Sequence, residues 1–229
     1  MTARSQHLTP EPGNAADGLW YEIAAGDFAG RPALFLDRDG VIVEDTHYLG
    51  RGQDVRMLAG GDTAIARCNK LGIPVIIVSN QSGIARGLYD WSGFAAVQAA
   101  IASALSESGA RIDAVFACAH HADGNAPLNI VDHPWRKPNP GMIIAAAERM
   151  KLDLAHSWIA GDRASDMAAG KAAGLAGGIL ISQRADDVER VAAMQLRSGK
   201  FAVDVASSLA DAVTALLAHG GLTLTSSAT

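Results

Sequence analysis

Two aspartates, Asp37 and Asp39, follow the short apolar segment "ALFL" at 33–36, and Gly40 comes directly after them. In an extended chain, residues i and i+2 point to the same side, so both carboxylates can face one point beyond a strand end. Two carboxylates in that position attract a hard cation such as Mg²⁺, which prefers oxygen ligands. An ordinary surface turn can have the same D-x-D-G pattern, so the pair alone does not decide between the two.

Two further motifs carry groups suited to a phosphoryl group. In "SNQSGIARG", Ser79 and Asn80 offer a hydroxyl and an amide, and the glycine-bearing loop offers backbone N–H groups to phosphate oxygens. In "RKPNPGM", Arg136 and Lys137 precede a rigid Pro-x-Pro, which favours a fixed positive charge. The plain alternatives are a polar loop between strand and helix, and two solvated cations.

The motif "GDRASDM" places a third acidic group, Asp162, at the end of another apolar segment, with Asp166 four residues later. An acidic residue there could complete the ligand shell of a Mg²⁺ ion. Alternatively, Asp162 or Ser165 simply caps the helix that follows.

The elements that would position these motifs alternate between strand and helix. Apolar segments predict strands at 33–37, 73–80, 112–119, 157–162, 178–182 and 201–206, and an edge strand and turn within 19–30. Helices are predicted at 62–72, 91–109, 141–152, 165–177 and 207–221, with Asp62, Ser92 and Ser208 as N-caps. This alternation predicts an α/β fold with a doubly wound parallel sheet, whose sites lie beyond the carboxyl ends of the strands.

Length and composition are ordinary for a soluble globular protein with one sizeable domain, or one domain with an appendage. The chain has 229 residues, a formal net charge of −5 and two cysteines. We expect an arm at 1–30, a catalytic domain at 31–221 and a tail at 222–229, with loops rather than a separate cap domain over the site. The absence of a basic cluster or a long apolar segment predicts no nucleic-acid partner, no membrane partner and a cytoplasmic location. We expect a monomer, with a dimer as the alternative.

The four motifs, in this order, resemble those of the haloacid dehalogenase superfamily of aspartyl phosphotransferases. "FLDRDG", "SNQSGIARG", "RKPNPGM" and "GDRASDM" are similar in particular to its D-glycero-D-manno-heptose-1,7-bisphosphate 7-phosphatases and histidinol-phosphate phosphatases. The resemblance covers roughly residues 33–182. It implies a Rossmann-like fold and a phosphatase acting on a small phosphorylated substrate, most simply the 7-phosphate of the heptose bisphosphate. Histidinol phosphate, or a non-catalytic role in binding a phosphorylated ligand, is the alternative.

The resemblance also implies residue roles. Asp37 would be the nucleophile and Asp39 the general acid and base, with Ser79 and Lys137 stabilising the phosphoryl group. Mg²⁺ would be held by the Asp37 side chain, the Asp39 backbone carbonyl and Asp162. The residues implied in substrate binding are Arg38, Asp45, Thr46, His47, Tyr48, Asn80, Gln81, Ser82, Arg136 and Arg163. Arg163 stands where the family usually has lysine, which keeps the charge but changes its geometry.

The loop ahead of Arg136 contains part of a zinc motif. The heptose bisphosphatases often carry Cys-x-His and then Cys-x-Cys there, and this chain has Cys118 and His120 for the first pair but His133 and Trp135 for the second. Tryptophan cannot bind zinc, and structural zinc sites have four ligands. We expect the loop to be held by packing of Trp135 and Pro134. A zinc site of Cys118, His120 and His133, completed by His121 or Asp132, is the alternative.

Overall fold

The computed structural model describes residues 17–183 and 188–222, which form a seven-stranded sheet with helices on both faces. The strands are β1 (Leu19–Ile23), β2 (Leu34–Leu36), β3 (Val75–Asn80), β4 (Ala114–Cys118), β5 (Trp158–Gly161), β6 (Gly177–Ile181) and β7 (Ala202–Ala206). The helices are α1 (Gly61–Lys70), α2 (Ser82–Ala85), α3 (Trp91–Glu107), α4 (Gly141–Met150), α5 (Ala164–Ala173), α6 (Val188–Gln195) and α7 (Leu209–Ala218).

The strand order is β1-β4-β3-β2-β5-β6-β7, and all neighbouring strands are parallel except β1, which runs antiparallel to β4. The prediction of a doubly wound parallel sheet is therefore confirmed, as is the edge strand near the start of the chain. Because β2 lies at the centre of the sheet, the residues that follow it are flanked by the ends of β3 and β5. Within 17–183 and 188–222, the strands are connected by loops and helices, without an additional folded domain.

The core lies on both sides of the sheet, which explains why the strands are apolar along their whole length. In β2, the side chains of Leu34 and Leu36 pack on the face covered by α1, α3 and α7, whereas Phe35 packs on the opposite face with α4, α5 and α6. All three side chains are fully buried. This alternation fixes which way the chain faces when it leaves β2 and enters the site.

The helix starts differ from the sequence prediction at two caps, and both were wrong for local reasons. Helix α1 begins after Gly60, which is the N-cap and has a left-handed φ of 77°, and Asp62 lies inside the first turn. Helix α3 is capped by Asp90, whose carboxylate accepts a hydrogen bond from the Gly93 N–H at 2.9 Å. The hydroxyl of Ser92 donates to that same carboxylate instead of capping the helix.

The starts of α7 and α5 can also be compared with the sequence prediction. Ser208 caps α7 as predicted, since its hydroxyl accepts from the Asp211 N–H. Helix α5 is capped at Arg163, so the alternative in which Asp162 or Ser165 serves as its N-cap is wrong. Helices α2 and α6 were not predicted, and both are short, with four and eight residues. In the part of the chain that is described, no helix is long and apolar enough to span a membrane.

Candidate active site

The predicted motifs meet at one edge of the sheet. Asp37 and Asp39 follow β2, Asn80 ends β3, and Asp162 follows β5, so the three strand ends surround one point, as parallel strands require. A pocket of about 510 Å³ opens above them, and its wall includes Lys137 from the loop before α4.

Lys137 is the cation at the floor of this pocket. Its ammonium lies 3.0 Å from Asp37 Oδ1 and 2.6 Å from Asp166 Oδ1, and it donates to the Val78 carbonyl at 2.8 Å. The side chain is only 4% exposed, and the two carboxylates raise its pKa well above the usual lysine value, overcoming the effect of burial. Lys137 is therefore a permanent positive charge with a fixed position beside the predicted nucleophile.

Asn80 holds the backbone of Lys137 in place. Its amide group donates to the Lys137 carbonyl and accepts from the Lys137 N–H, both at 3.0 Å. Asn80 is predicted to bind substrate, and its side chain does line the pocket. Both ends of its amide are nevertheless occupied by the protein, so in this arrangement Asn80 positions the lysine.

The contacts of Asp37 leave one carboxylate oxygen available. Oδ1 accepts from the Arg38 N–H at 2.7 Å and faces Lys137. Among the described residues, no hydrogen bond reaches Oδ2. This is the arrangement that a carboxylate nucleophile needs, because the positive groups orient one oxygen and leave the other free to form a bond.

Three carboxylates form an acidic cluster below the pocket. Oxygens of Asp37, Asp162 and Asp166 lie within 4.8 Å of one another. Burial, with added repulsion from Asp37 and Asp166, raises the pKa of Asp162 to about 7, and its Oδ1 is buried without a hydrogen-bond partner. An unpartnered buried oxygen among like charges fits a bound cation, and an all-oxygen donor set suits Mg²⁺.

Gly40 makes room for this cluster. A side-chain carbon at Gly40 would lie 2.5 Å from Asp162 Oδ2, and the residue has a left-handed φ of 78°. Any other residue would therefore both strain the backbone and displace the third carboxylate.

Asp39, the predicted acid and base, is held by two buried side chains. The Arg38 guanidinium contacts both of its oxygens, with the shortest distance 2.9 Å, and Gln81 donates to Oδ2 at 3.2 Å. Burial raises the pKa of Asp39 above its usual range, while Arg38 opposes the shift. Arg38 and Gln81, at 1% and 2% exposure, contact Asp39 and also line the pocket, so their predicted substrate role stays a prediction.

Ser79, predicted to contact the phosphoryl group, lies at the buried end of β3 and its hydroxyl accepts from Gln81 at 2.7 Å. Gln81 therefore joins Ser79 to Asp39. Its carbonyl oxygen in turn accepts from the Tyr89 hydroxyl at 2.6 Å and from Arg38 at 3.0 Å. Tyr89 was not predicted, since nothing in the sequence around it signals a site.

Positive side chains surround the pocket mouth. Arg136 and Arg163, both predicted, line the pocket together with Arg86, which has no role in the sequence prediction. His121, predicted only as an alternative zinc ligand, also lines the pocket. Arg86 contacts the His121 ring and pairs with Asp123 at 3.2 Å. The signal for Arg86 was present in the motif "SNQSGIARG", but only the glycines and the first polar residues were considered there.

The predicted "DTHY" segment forms the opposite wall. Asp45, His47 and Tyr48 line the pocket with Ser82, and Asp45 lies 3.6 Å from the Arg163 guanidinium. Thr46 faces an adjacent cavity that includes Leu88 and Tyr89. The substrate roles of these residues stay predictions.

The zinc motif of the loop is organised by packing and hydrogen bonds. Cys118 Sγ lies 3.8 Å from His133 Nδ1, and that nitrogen also accepts from the Trp135 N–H at 3.1 Å. Trp135 packs against Phe116, as expected. His120 donates through Nε2 to the Asp17 carbonyl at 2.8 Å. Within 17–183 and 188–222, the acidic cluster is the single place where three or more His, Cys, Asp or Glu side chains lie close enough to hold a metal ion. That the loop binds no zinc stays a prediction.

Comparison with known proteins agrees with this geometry. Residues 134–212 match the family model described as HAD-hydrolase-like. A D-glycero-beta-D-manno-heptose-1,7-bisphosphate 7-phosphatase of Mesorhizobium japonicum is 49% identical over 179 residues, which are 77% of this chain and 82% of that protein. The chain belongs to the haloacid dehalogenase-like phosphatases. It is thus a phosphoric monoester hydrolase, as the four motifs predicted.

Solved structures of haloacid dehalogenase-like phosphatases share the fold. A HAD-like phosphatase from Mesorhizobium loti superimposes with a TM-score of 0.78 at 44% identity, covering 88% of this chain and 92% of that one. The D,D-heptose 1,7-bisphosphate phosphatase of B. bronchiseptica, complexed with magnesium and phosphate, has a TM-score of 0.69 at 32% identity, covering 82% and 99%.

Proposed function

We propose that this protein is a Mg²⁺-dependent phosphatase that removes the 7-phosphate of D-glycero-D-manno-heptose 1,7-bisphosphate. One observation supports a substrate with two phosphates. The pocket has a buried cation, Lys137, beside Asp37 at its floor, and separate cations, Arg86 and Arg136, at its mouth. A substrate with two phosphates can place one phosphate beside Lys137 and the other beside Arg86 and Arg136. Relatives with this name, including the one from Mesorhizobium japonicum, support the choice of sugar.

The first half of the reaction transfers the phosphoryl group to Asp37. A carboxylate oxygen of Asp37 attacks phosphorus, and the bond between phosphorus and the sugar oxygen breaks. Asp39 donates its proton to that leaving oxygen, which becomes the free hydroxyl. The raised pKa of Asp39 favours the protonated form that this step requires. Lys137 lowers the repulsion between the carboxylate and the anionic phosphate.

The second half returns the enzyme to its starting state. A water oxygen attacks the phosphorus of the aspartyl phosphate while Asp39, now a carboxylate, accepts a proton from that water. The bond between Asp37 and phosphorus breaks, and inorganic phosphate leaves. Asp39 is again protonated and Asp37 is again a carboxylate, so atoms and charges balance over the cycle.

Magnesium would be held by carboxylates of Asp37 and Asp162 and by the backbone carbonyl of Asp39. When bound, it supplies positive charge that neutralises the carboxylates and the phosphoryl oxygens. Asp166 is better described as the partner of Lys137, which it contacts at 2.6 Å. The carboxylate of Asp166 also accepts from the Arg163 N–H at 3.1 Å and so fixes the start of α5 next to Asp162.

The nucleophile is tested by Asp37→Asn, which keeps the size of the side chain but removes the attacking oxygen anion. We expect kcat for the heptose bisphosphate to fall by at least about 1,000-fold. The matched control is Asp204→Asn, the same change at an exposed position on β7, three strands away from β2. Its kcat should stay within about twofold of the wild-type value. Mg²⁺-dependent turnover by Asp37→Asn at more than a tenth of the wild-type rate would refute the assignment.

A further inference from the structure

The first described residues, ahead of the strand that carries the nucleophile, contact the loop that carries the cations. Strand β1 pairs with β4 over its full length, with Leu19 opposite Cys118. The pairing extends past the end of β4, where the Ala119 N–H donates to the Gly18 carbonyl at 2.8 Å. The loop at 119–137 therefore begins against the N-terminal segment.

His120 extends this contact into the loop. It is only 3% exposed, and its Nε2 donates to the Asp17 carbonyl at 2.8 Å. Gly18 lies close beneath it, because a side-chain carbon at Gly18 would be 2.9 Å from that nitrogen and 2.5 Å from Leu128 Cδ2. Glycine is required at this position for its lack of a side chain as well as for its left-handed φ of 71°.

On its other side, His120 contacts groups that lead to the pocket. Its ring stacks on His133 with the centroids 4.0 Å apart, and His133 accepts from the Trp135 N–H. The His120 carbonyl accepts from Arg136 Nη1 at 3.0 Å. A continuous series of contacts thus joins the N-terminal segment to the guanidinium that lines the pocket mouth.

We propose that residues 17–23 and His120 together form a positioning unit, here called the N-terminal brace, that fixes Arg136 without a metal. In this arrangement, the loop is held by the hydrogen bond from His120 to the Asp17 carbonyl and by the stacking of His120 on His133. The functional consequence rests on the proposed function, in which Arg136 binds the second phosphate. A pre-positioned arginine binds more tightly because less side-chain freedom is lost when the substrate arrives.

The test is Gly18→Val, with Gly30→Val as its matched control. Both glycines have a φ near 70°, but a side chain at Gly18 meets Leu128 and His120, whereas one at Gly30 meets no atom within 4 Å. The two variants therefore share the backbone strain and differ in whether the new side chain meets Leu128 and His120. A second variant, His120→Phe, keeps a flat ring for stacking on His133 and removes the donor to Asp17.

For Gly18→Val and His120→Phe, we expect KM for the heptose bisphosphate to rise at least fivefold while kcat changes less than twofold. The value of kcat/KM for p-nitrophenyl phosphate, which has no second phosphate, should also change less than twofold. Gly30→Val should leave all these values near wild type. Equal losses on both substrates, or equal KM values for Gly18→Val and Gly30→Val, would overturn the proposal.

Two readouts are independent of the substrate. Hydrogen exchange of the full chain should be faster at residues 119–135 in Gly18→Val than in Gly30→Val, and unchanged loop exchange would overturn the brace even if no heptose bisphosphate were hydrolysed. Metal analysis of protein purified without chelators should find less than about 0.1 zinc per chain, and one zinc per chain would overturn the metal-free part of the proposal. Failure of the proposed function alone would instead leave the loop exchange as expected and remove activity on the bisphosphate.

Discussion

Gln81 uses its whole amide group to connect the residues at the floor of the pocket. Its nitrogen donates to Ser79 and Asp39, and its oxygen accepts from Arg38 and Tyr89. A buried amide with all of these partners has one orientation, and it therefore fixes the spacing between the Ser79 hydroxyl and the Asp39 carboxylate. At the level of single residues, Gln81 therefore positions its partners.

Gln81→Leu should lower kcat by about 10- to 100-fold, because the buried partners of the amide lose a hydrogen bond and Asp39 is then held by Arg38 alone. KM should stay within about threefold, since the cations at the pocket mouth are untouched. Steady-state kinetics with the heptose bisphosphate measures both constants.

The control is Tyr89→Phe, which removes only the outer hydrogen bond to Gln81 and should lower kcat by less than about fivefold. If Gln81→Leu raised KM strongly and left kcat unchanged, Gln81 would be a substrate ligand, as the sequence analysis first assigned it.

At the scale of elements, the strand ends determine where the chemistry lies. Three of the four motifs could be placed from sequence because each follows an apolar segment, and parallel strands bring their carboxyl ends to one edge. The fourth, "RKPNPGM", reaches that edge from the loop before α4. Helix starts were harder to predict. At α3, Asp90 and Ser92 are both good caps two residues apart, and the choice depends on backbone dihedrals that sequence does not reveal.

Asp90→Ala should lower the thermal midpoint of unfolding more than Ser92→Ala does, because Asp90 accepts from the Gly93 N–H and Ser92 only supports Asp90. Thermal unfolding followed by circular dichroism ranks the two variants. A larger decrease in the thermal midpoint for Ser92→Ala than for Asp90→Ala would indicate that Ser92 is the N-cap.

Side-chain partners were the part of the site that sequence could not supply. Nothing in "GDRASDM" indicates that Asp166 would be buried against Lys137, which comes from a loop 29 residues earlier in the chain. Likewise, Asn80 and Arg38 are polar residues at a predicted site, and pattern alone assigns such residues to the substrate. In the folded chain, Asn80 bonds to the Lys137 backbone and Arg38 to Asp39, while both side chains also line the pocket.

At the scale of the whole molecule, the charge is distributed unevenly. The chain carries a net charge of −5, yet its pocket mouth is lined by arginines, and the floor combines Lys137 with three close carboxylates. The mouth attracts an anionic substrate. At the floor, the three carboxylates repel one another, and a bound divalent cation would reduce that repulsion.

Magnesium should therefore stabilise the folded protein as well as activate it. Saturating Mg²⁺ should raise the thermal midpoint by about 5 to 10 °C, and dialysis against EDTA should reverse the shift. Asp162→Asn should lose most of this shift, whereas Asp204→Asn should keep it. A wild-type midpoint that did not respond to Mg²⁺ would contradict the assignment of the acidic cluster.

The most direct test of the central claim is the position at which the substrate is cleaved. The wild-type protein is incubated with Mg²⁺ and each anomer of D-glycero-D-manno-heptose 1,7-bisphosphate, and phosphorus NMR follows the two phosphates. We predict that at least one anomer loses its 7-phosphate and keeps its 1-phosphate, with kcat/KM at least 100-fold above that for histidinol phosphate. Loss of the 1-phosphate, or equal rates on all of these compounds, would contradict the account.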